Sequence, residues 1–276
     1  MRIDFTKASG AGNDFIIIDN RGAALPADHA ALARTLCDRH FGIGADGLLL
    51  LENSPAADFA MRYYNSDGSY GGMCGNGGRC LARYAHLKGV AGVHQKFTAL
   101  DHAYTAEVKG EIVALSMKDP RRTALGLGIQ VPGAAVESLH FIDTGAPHVV
   151  AFVRDLEGVD VTGAGMFLRH HRQFAPEGTN VNFVEISGAN IIHIRTYERG
   201  VETETLACGT GSIAAAVISH LIHAVPAPVR VHVRSGEELL ASFSVSGVHI
   251  SSVILEGSAH MLFEGSIEYA NNRAGT

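Results

Sequence analysis

Lysine is scarce in this 276-residue chain: five occur, and none follows Lys118. None lies in a cysteine-glycine motif, which argues against a Schiff-base lysine. Basic residues never run longer than Arg121-Arg122, and the net charge is −6. That lacks the electrostatic footprint of a nucleic-acid binder. Apolar runs such as FIII at Phe15 and LLLL at Leu48 are far shorter than the roughly 20 residues a membrane helix needs. Four cysteines occur (Cys37, Cys74, Cys80, Cys208), with no CxxC pair, and the fifteen histidines contain no HExxH. A metal is therefore not expected. MRIDFTKASG has no apolar leader-like core and reads as a strand, so the expected location is the cytoplasm, with reduced thiols and neither membrane nor nucleic acid as partner.

What is present describes a folded globular protein, with 46% hydrophobic and 18% charged residues. The length suits two domains of about 130 residues each. An internal repeat supports this division. Set over the first half at an offset of 133 or 134, the second half places Cys208 on Cys74 and RTYE, ending at Glu198, on RYYN, ending at Asn65. It also brings FAPEGTNVNFVEI onto FGIGADGLLLLE, with Asn180 over Asp46, and TGAPHVVAF onto GAGNDFIII. Order and near-register persist over about 75 residues, the sign of two copies of one supersecondary design. Each copy reads as mostly strand with two helices. The helices are DHAALARTLCDRHF and GGRCLARYAHLKG in the first, and GAGMFLRHHRQF and GSIAAAVISHLIHA in the second. The expected domains are 1–120 and 121–260, parted at MKDPRRT, with 261–276 returning as a strand to the first.

In each copy a strand and a loop lead to Cys-Gly-x-Gly at a helix start. The first amides of a helix lack intrahelical partners and, with the dipole, favour an anion. A cysteine there has a lowered pKa. Cys37 and Cys80, on helix faces, read as buried filler. If the copies pack face to face, Cys74 and Cys208 flank one substrate carbon. One thiolate then takes a proton while the opposite thiol returns one, the arrangement that inverts a stereocentre.

GAGNDF, YYNSDGS, MCGNGGR, GTNVNF, YERG, LACGTGS and the closing FEGSIE resemble, in order, the diaminopimelate epimerase family. The resemblance implies an α/β (α+β) fold of two pseudo-symmetric domains, each a β-barrel-like sheet around a central helix, with the active site between them. It implies interconversion of LL- and meso-diaminopimelate without pyridoxal phosphate, metal or other cofactor. Cys74 and Cys208 would be the acid/base pair. Gly75, Asn76, Gly209 and Thr210 would bind the reacting carboxylate. Asn13, Asn65, Asn180 and Arg199 would hold the substrate, with Arg199 on the distal carboxylate. Glu198 would take the distal amine or tune a thiol, and His148 would adjust the acidity of Cys74. The partner is a small-molecule amino acid, and a homodimer is compatible with this reading.

Two positions depart from the family pattern. Gly47 stands where members often carry an amide side chain, and Ala146 where they carry Asn. The loop from Glu198 to Cys208 is also one residue longer than the family pattern. Two other readings therefore stay open: a racemase or isomerase of the same fold acting on histidine or proline, and a thiol redox switch through a Cys74–Cys208 disulfide.

Overall fold

A computed structural model of the chain describes residues 1–247 and 249–269. It divides into two compact units, Met1–Val113 with the chain from Ser258 onward, and Ala114–Gly257. Residues 270–276 of the expected returning strand lie outside the described residues.

The first unit runs β1 (Arg2–Gly10), β2 (Asn13–Asp19), α1 (His29–Cys37), β3 (Gly47–Glu52), β4 (Phe59–Asn65), α2 (Gly75–Leu87), β5 (His94–Ala99) and β6 (His102–Lys109). β7 (Ile112–Ser116) crosses into the second unit. There follow β8 (Arg121–Ala124), β9 (Val136–Asp143), β10 (Pro147–Val153), α3 (Val161–Arg169), a 3₁₀ turn (Arg172–Phe174), β11 (Asn180–Gly188) and β12 (Ile191–Glu198). β13 (Thr203–Thr205), α4 (Gly209–His223), β14 (Val229–His232), β15 (Glu238–Ser246) and β16 (His249–Ser258) complete it. β17 (His260–Glu268) belongs to the first unit and pairs antiparallel with β1.

The two units repeat one pairing scheme. β1–β2 is antiparallel, β2–β3 parallel, β3–β4 antiparallel, β4–β5 parallel and β5–β6 antiparallel. β9–β10, β10–β11, β11–β12, β12–β14 and β14–β15 follow the same alternation. Parallel neighbours need a crossover, and α1 and α3 lie in the corresponding crossovers. The fold is thus mixed α/β and dominated by sheet, with a helix inside each unit. α2 touches β1, β2, β3, β4, β6 and β17, while α4 touches β9, β10, β11, β12, β14 and β15. Their sequences fit this enclosure. Ile213 to Ile218 of α4 are all completely buried, as a helix that is apolar all round must be. α1 and α3 are amphipathic and pack from outside. Leu32, Ala33 and Leu36 meet Ile16, Leu48 and Leu50, and Val161, Ala164 and Leu168 meet Val149, Val181 and Phe183.

Two expectations need adjustment. The first helix ends at Cys37, not Phe41, because the chain turns back and Ile43 and Gly44 donate to the Leu36 carbonyl. α3 ends at Arg169, so His170 and His171 occupy a turn. The register of the repeat also moves. Phe15 faces Gly47 across β2–β3, and His148 faces Asn180 across β10–β11. Ile16, Leu48 and Leu50 face α1 as Val149, Val181 and Phe183 face α3, so Asn180 occupies the place of Gly47 rather than Asp46, and the strands match at an offset of 133. No helix among the described residues is long and apolar enough to cross a membrane.

Candidate functional site

The outer helices carry ordinary caps. Asp28 accepts from the Ala31 amide at 2.9 Å and Asp160 from the Gly163 amide at 3.0 Å. The enclosed helices begin instead at Cys74 and Cys208, both extended, with φ/ψ of −120°/123° and −126°/114°. Cysteine is a poor substitute for Ser, Thr, Asp or Asn as an N-cap, a choice that decides about 0.5–2 kcal/mol of helix stability. Both enclosed helices therefore start on a weaker cap than the outer ones. Cys74 Sγ accepts from the Gly77 amide at 3.5 Å. Cys208 makes no cap bond, and its sulfur lies 3.5 Å from Thr210 Oγ1.

In the first unit the Cys74 helix start is tied to the β1–β2 turn. Gly75 and Asn76 are buried, and Asn76 donates to Asn13 Oδ1 at 2.6 Å while accepting from Arg79 at 2.9 Å. Asn13 donates in turn to Asp46 at 3.1 Å. Arg39 binds Asp46 at 2.9 Å and Asp14 at 2.8 Å, and Lys7 binds Asp14 at 2.8 Å. Burial alone would raise the Asp14 carboxyl, but hydrogen bonds from Arg39 and Lys7 hold it at about 2. Asn65 ends β4 and secures the next turn, donating to Ser69 Oγ at 2.9 Å. At Gly47 a Cβ would stand 2.5 Å from Tyr63 Cε2. The Tyr63 ring takes the room an amide side chain would need, the physical counterpart of that departure from the family pattern.

In the second unit Thr210 is the centre. Its Oγ1 meets His148 Nε2 at 2.9 Å, and its carbonyl accepts from Thr144 at 2.9 Å. His148 Nδ1 lies 3.1 Å from Asn182 Nδ2. Asn182 also donates to the Val149 carbonyl at 3.0 Å and accepts from Thr196 at 3.0 Å. His148 is wholly buried. Desolvation lowers its pKa to about 3, the charge of Arg199 acts in the same sense, and Asp143 opposes both. Asn180 braces two segments, donating to the Pro147 carbonyl at 3.1 Å and accepting from the Arg199 amide at 2.8 Å. The half-buried Arg199 guanidinium donates to the Glu177 carbonyl at 3.1 Å. Glu198 closes β12 half-buried, Ala146 is half-buried in the turn before β10, and Gly209 is buried beside Cys208.

The first unit thus joins Asn13 and Asn76 beside Cys74, with Asn65 on a neighbouring turn. The second joins Thr210 and His148 beside Cys208, and Asn180 with Arg199 after β12. The resemblance implied that His148 acts on Cys74; within its own unit the ring meets Thr210, whose hydroxyl lies beside the Cys208 sulfur. Sequence reading missed Asn182, Thr196, Asp46, Arg39 and Arg79. Asn182 had a signal, since it follows Asn180 by two in a strand and so faces the same way. Cys37 is buried filler, its thiol pushed up to about 12 by burial. Among the described residues no group of three His, Cys, Asp or Glu side chains could hold a metal.

The family model described as diaminopimelate epimerase matches residues 5–130 and 140–261. A diaminopimelate epimerase of Chlorobaculum tepidum is 48% identical, over 94% of this chain and 99% of that protein. One from Aquifex aeolicus is 42% identical, over 96% and 98%. Among solved structures, a probable proline racemase from Agrobacterium radiobacter superposes with a TM-score of 0.71 at 16% identity, covering 98% of this chain and 93% of that one. That likeness concerns the fold alone.

Proposed function

The chain belongs to the diaminopimelate epimerase family, and on that premise we propose that it interconverts LL- and meso-2,6-diaminopimelate, with Cys74 and Cys208 as its acid/base pair. The observation that carries this is the matched placement of the two cysteines, each the N-cap of the enclosed helix of its unit. Inverting a carbon requires a base on one face and an acid on the other. Each unit supplies one thiol, and their roles exchange with the direction of reaction.

The α-proton of an amino acid is weakly acidic, so the developing carbanion needs stabilisation. Amides at Gly75 and Asn76, and at Gly209 and Thr210, receive the reacting carboxylate. Losing one such donor costs about 10²–10³ in rate in other enzymes. Arg199 takes the distal carboxylate as a charge-assisted pair. Glu198 takes the distal amine or tunes a thiol, Asn13, Asn65 and Asn180 hold the substrate, and His148 adjusts thiol acidity. This chemistry is complete with two thiols and oriented amides, without a cofactor. A cytoplasmic place in forming lysine and peptidoglycan precursors follows from the substrate.

The test is α-proton exchange of LL-diaminopimelate in deuterated solvent, followed by NMR, with proline and histidine as competing substrates. We predict exchange for diaminopimelate and a loss of at least about 10² in the Cys74→Ala and Cys208→Ala proteins. A halogenated analogue, whose elimination needs one base only, should still react with one of the two variants. No exchange with diaminopimelate would sink the substrate assignment, and full epimerisation by both variants would sink the two-thiol mechanism.

A further inference from the structure

The shared pairing scheme gives each strand position in one unit a counterpart in the other. Leu49 faces Tyr63 across β3–β4 as Asn182 faces Thr196 across β11–β12, and Phe15 corresponds to His148. In the first unit these residues form an apolar layer under the start of α2. Phe15 packs edge-on against Tyr63, and a Cβ on Gly77 would meet Leu49 at 3.1 Å and Phe15 at 3.5 Å. In the second unit the same layer is polar and equally buried: His148 and Asn182 are 0% and Thr196 is 2% exposed. A Cβ on Gly211 would overlap Asn182 Oδ1. Burying polar groups is costly unless every one is bonded. The first unit builds this scaffold without them, so the fold does not account for them.

The hydrogen bonds have a direction. The Val149 carbonyl can only accept, so the Asn182 atom facing it is the amide nitrogen. That nitrogen also faces His148 Nδ1, which must accept. The neutral ring then carries its proton on Nε2 and donates it to Thr210 Oγ1. The Thr210 hydroxyl keeps its own hydrogen, and Cys208 Sγ lies within reach. Thr196 fills the remaining side of the Asn182 amide and holds its orientation. The charged groups acting on His148 are Asp143 and Arg199.

We propose that Asn182 is a positioning residue: by donating to His148 Nδ1 it fixes the Nε2–H tautomer and, through Thr210, aims a hydroxyl hydrogen at the Cys208 sulfur. This rests on the reading of Cys208 as an acid/base group. The relay stabilises the thiolate form of Cys208.

Two measurements test it, neither using diaminopimelate, so failure of the substrate assignment remains distinguishable. In the full-length ¹⁵N-histidine-labelled protein at pH 7, long-range ¹H–¹⁵N spectra should show His148 with an unprotonated Nδ1 and a protonated Nε2. The opposite tautomer, or an imidazolium, overturns the proposal, and this readout needs no variant to fold. The second measurement is the pH dependence of Cys208 alkylation by iodoacetamide, read by peptide mass. Thr210→Val removes the hydroxyl. Asn182→Asp replaces a donor with an acceptor and should reverse the tautomer. Both should raise the alkylation midpoint by about one to two units, the scale of one hydrogen bond to a charged group. A merely structural Asn182 would leave the midpoint unmoved in the folded variants, and that result also overturns the proposal.

Discussion

His148 is where burial of a single residue has a measurable consequence for the whole protein. Its folded pKa of about 3 lies below the ordinary value of 6.5. Between these values the unfolded chain binds a proton that the folded chain refuses, so stability rises with pH across that window and falls as acid is added. We predict that urea unfolding between pH 6.5 and 4.5 shows an extra slope of up to about 1.4 kcal/mol per pH unit compared with a His148→Phe protein. The reference is apt, because phenylalanine occupies the corresponding place at Phe15. His29 and His140, also lowered chiefly by burial, titrate alike in both proteins. Asp14 has the carboxylate sign: its contribution is present above 3.8 and is lost as pH falls toward about 2, below the window measured. Equal slopes in the two proteins would mean that His148 is protonated when folded.

The informative elements are the starts of α2 and α4. Their Cys-Gly-x-Gly sequences predict helix starts with close backbone approach, and both are helix starts. What approaches them differs. Gly77 admits the flexible end of Leu49, whereas Gly211 admits the fixed amide of Asn182. Gly211→Ala should therefore destabilise by about 1–3 kcal/mol, as overpacking does. Gly77→Ala should change stability by less than about 1 kcal/mol, because Leu49 can rotate away and alanine favours helix. Urea unfolding of the two variants checks this, and equal losses would contradict the assigned packing. The starts of α2 and α4 are legible from the Cys-Gly-x-Gly sequences. The end of α1 is not, because the carbonyls of its last turn are met by a loop returning from Ile43 and Gly44.

At the scale of the molecule, the first unit is built from both ends of the chain and the second from one continuous segment. β17 covers β1 from Arg2 to Ser9, and the Met1 amine and Tyr269 carbonyl close the pair at 2.7 Å. A chain ending at residue 257 would leave β1 without that neighbour, and exposed strand edges invite aggregation. We expect such a chain to show early proteolysis within 1–113, while residues 114–257 expressed alone melt cooperatively by circular dichroism. A native melting profile for the shortened chain would contradict this.

The sequence by itself determined the duplication, the alternation of strand and helix, the two cysteine helix starts and the family. These are carried by residue types and spacings that local backbone chemistry enforces. Only the tertiary structure decided the register and the partners. Matching Gly-rich segments tolerate a slip of one residue, but pairing across β2–β3 and β10–β11 does not, since each step turns a side chain to the other face. That register puts Asn180 where Gly47 stands. It also sets His148, Asn182 and Thr196 where the first unit has Phe15, Leu49 and Tyr63. No spacing along the chain makes Asn182 a neighbour of His148; the parallel ladder between two strands does.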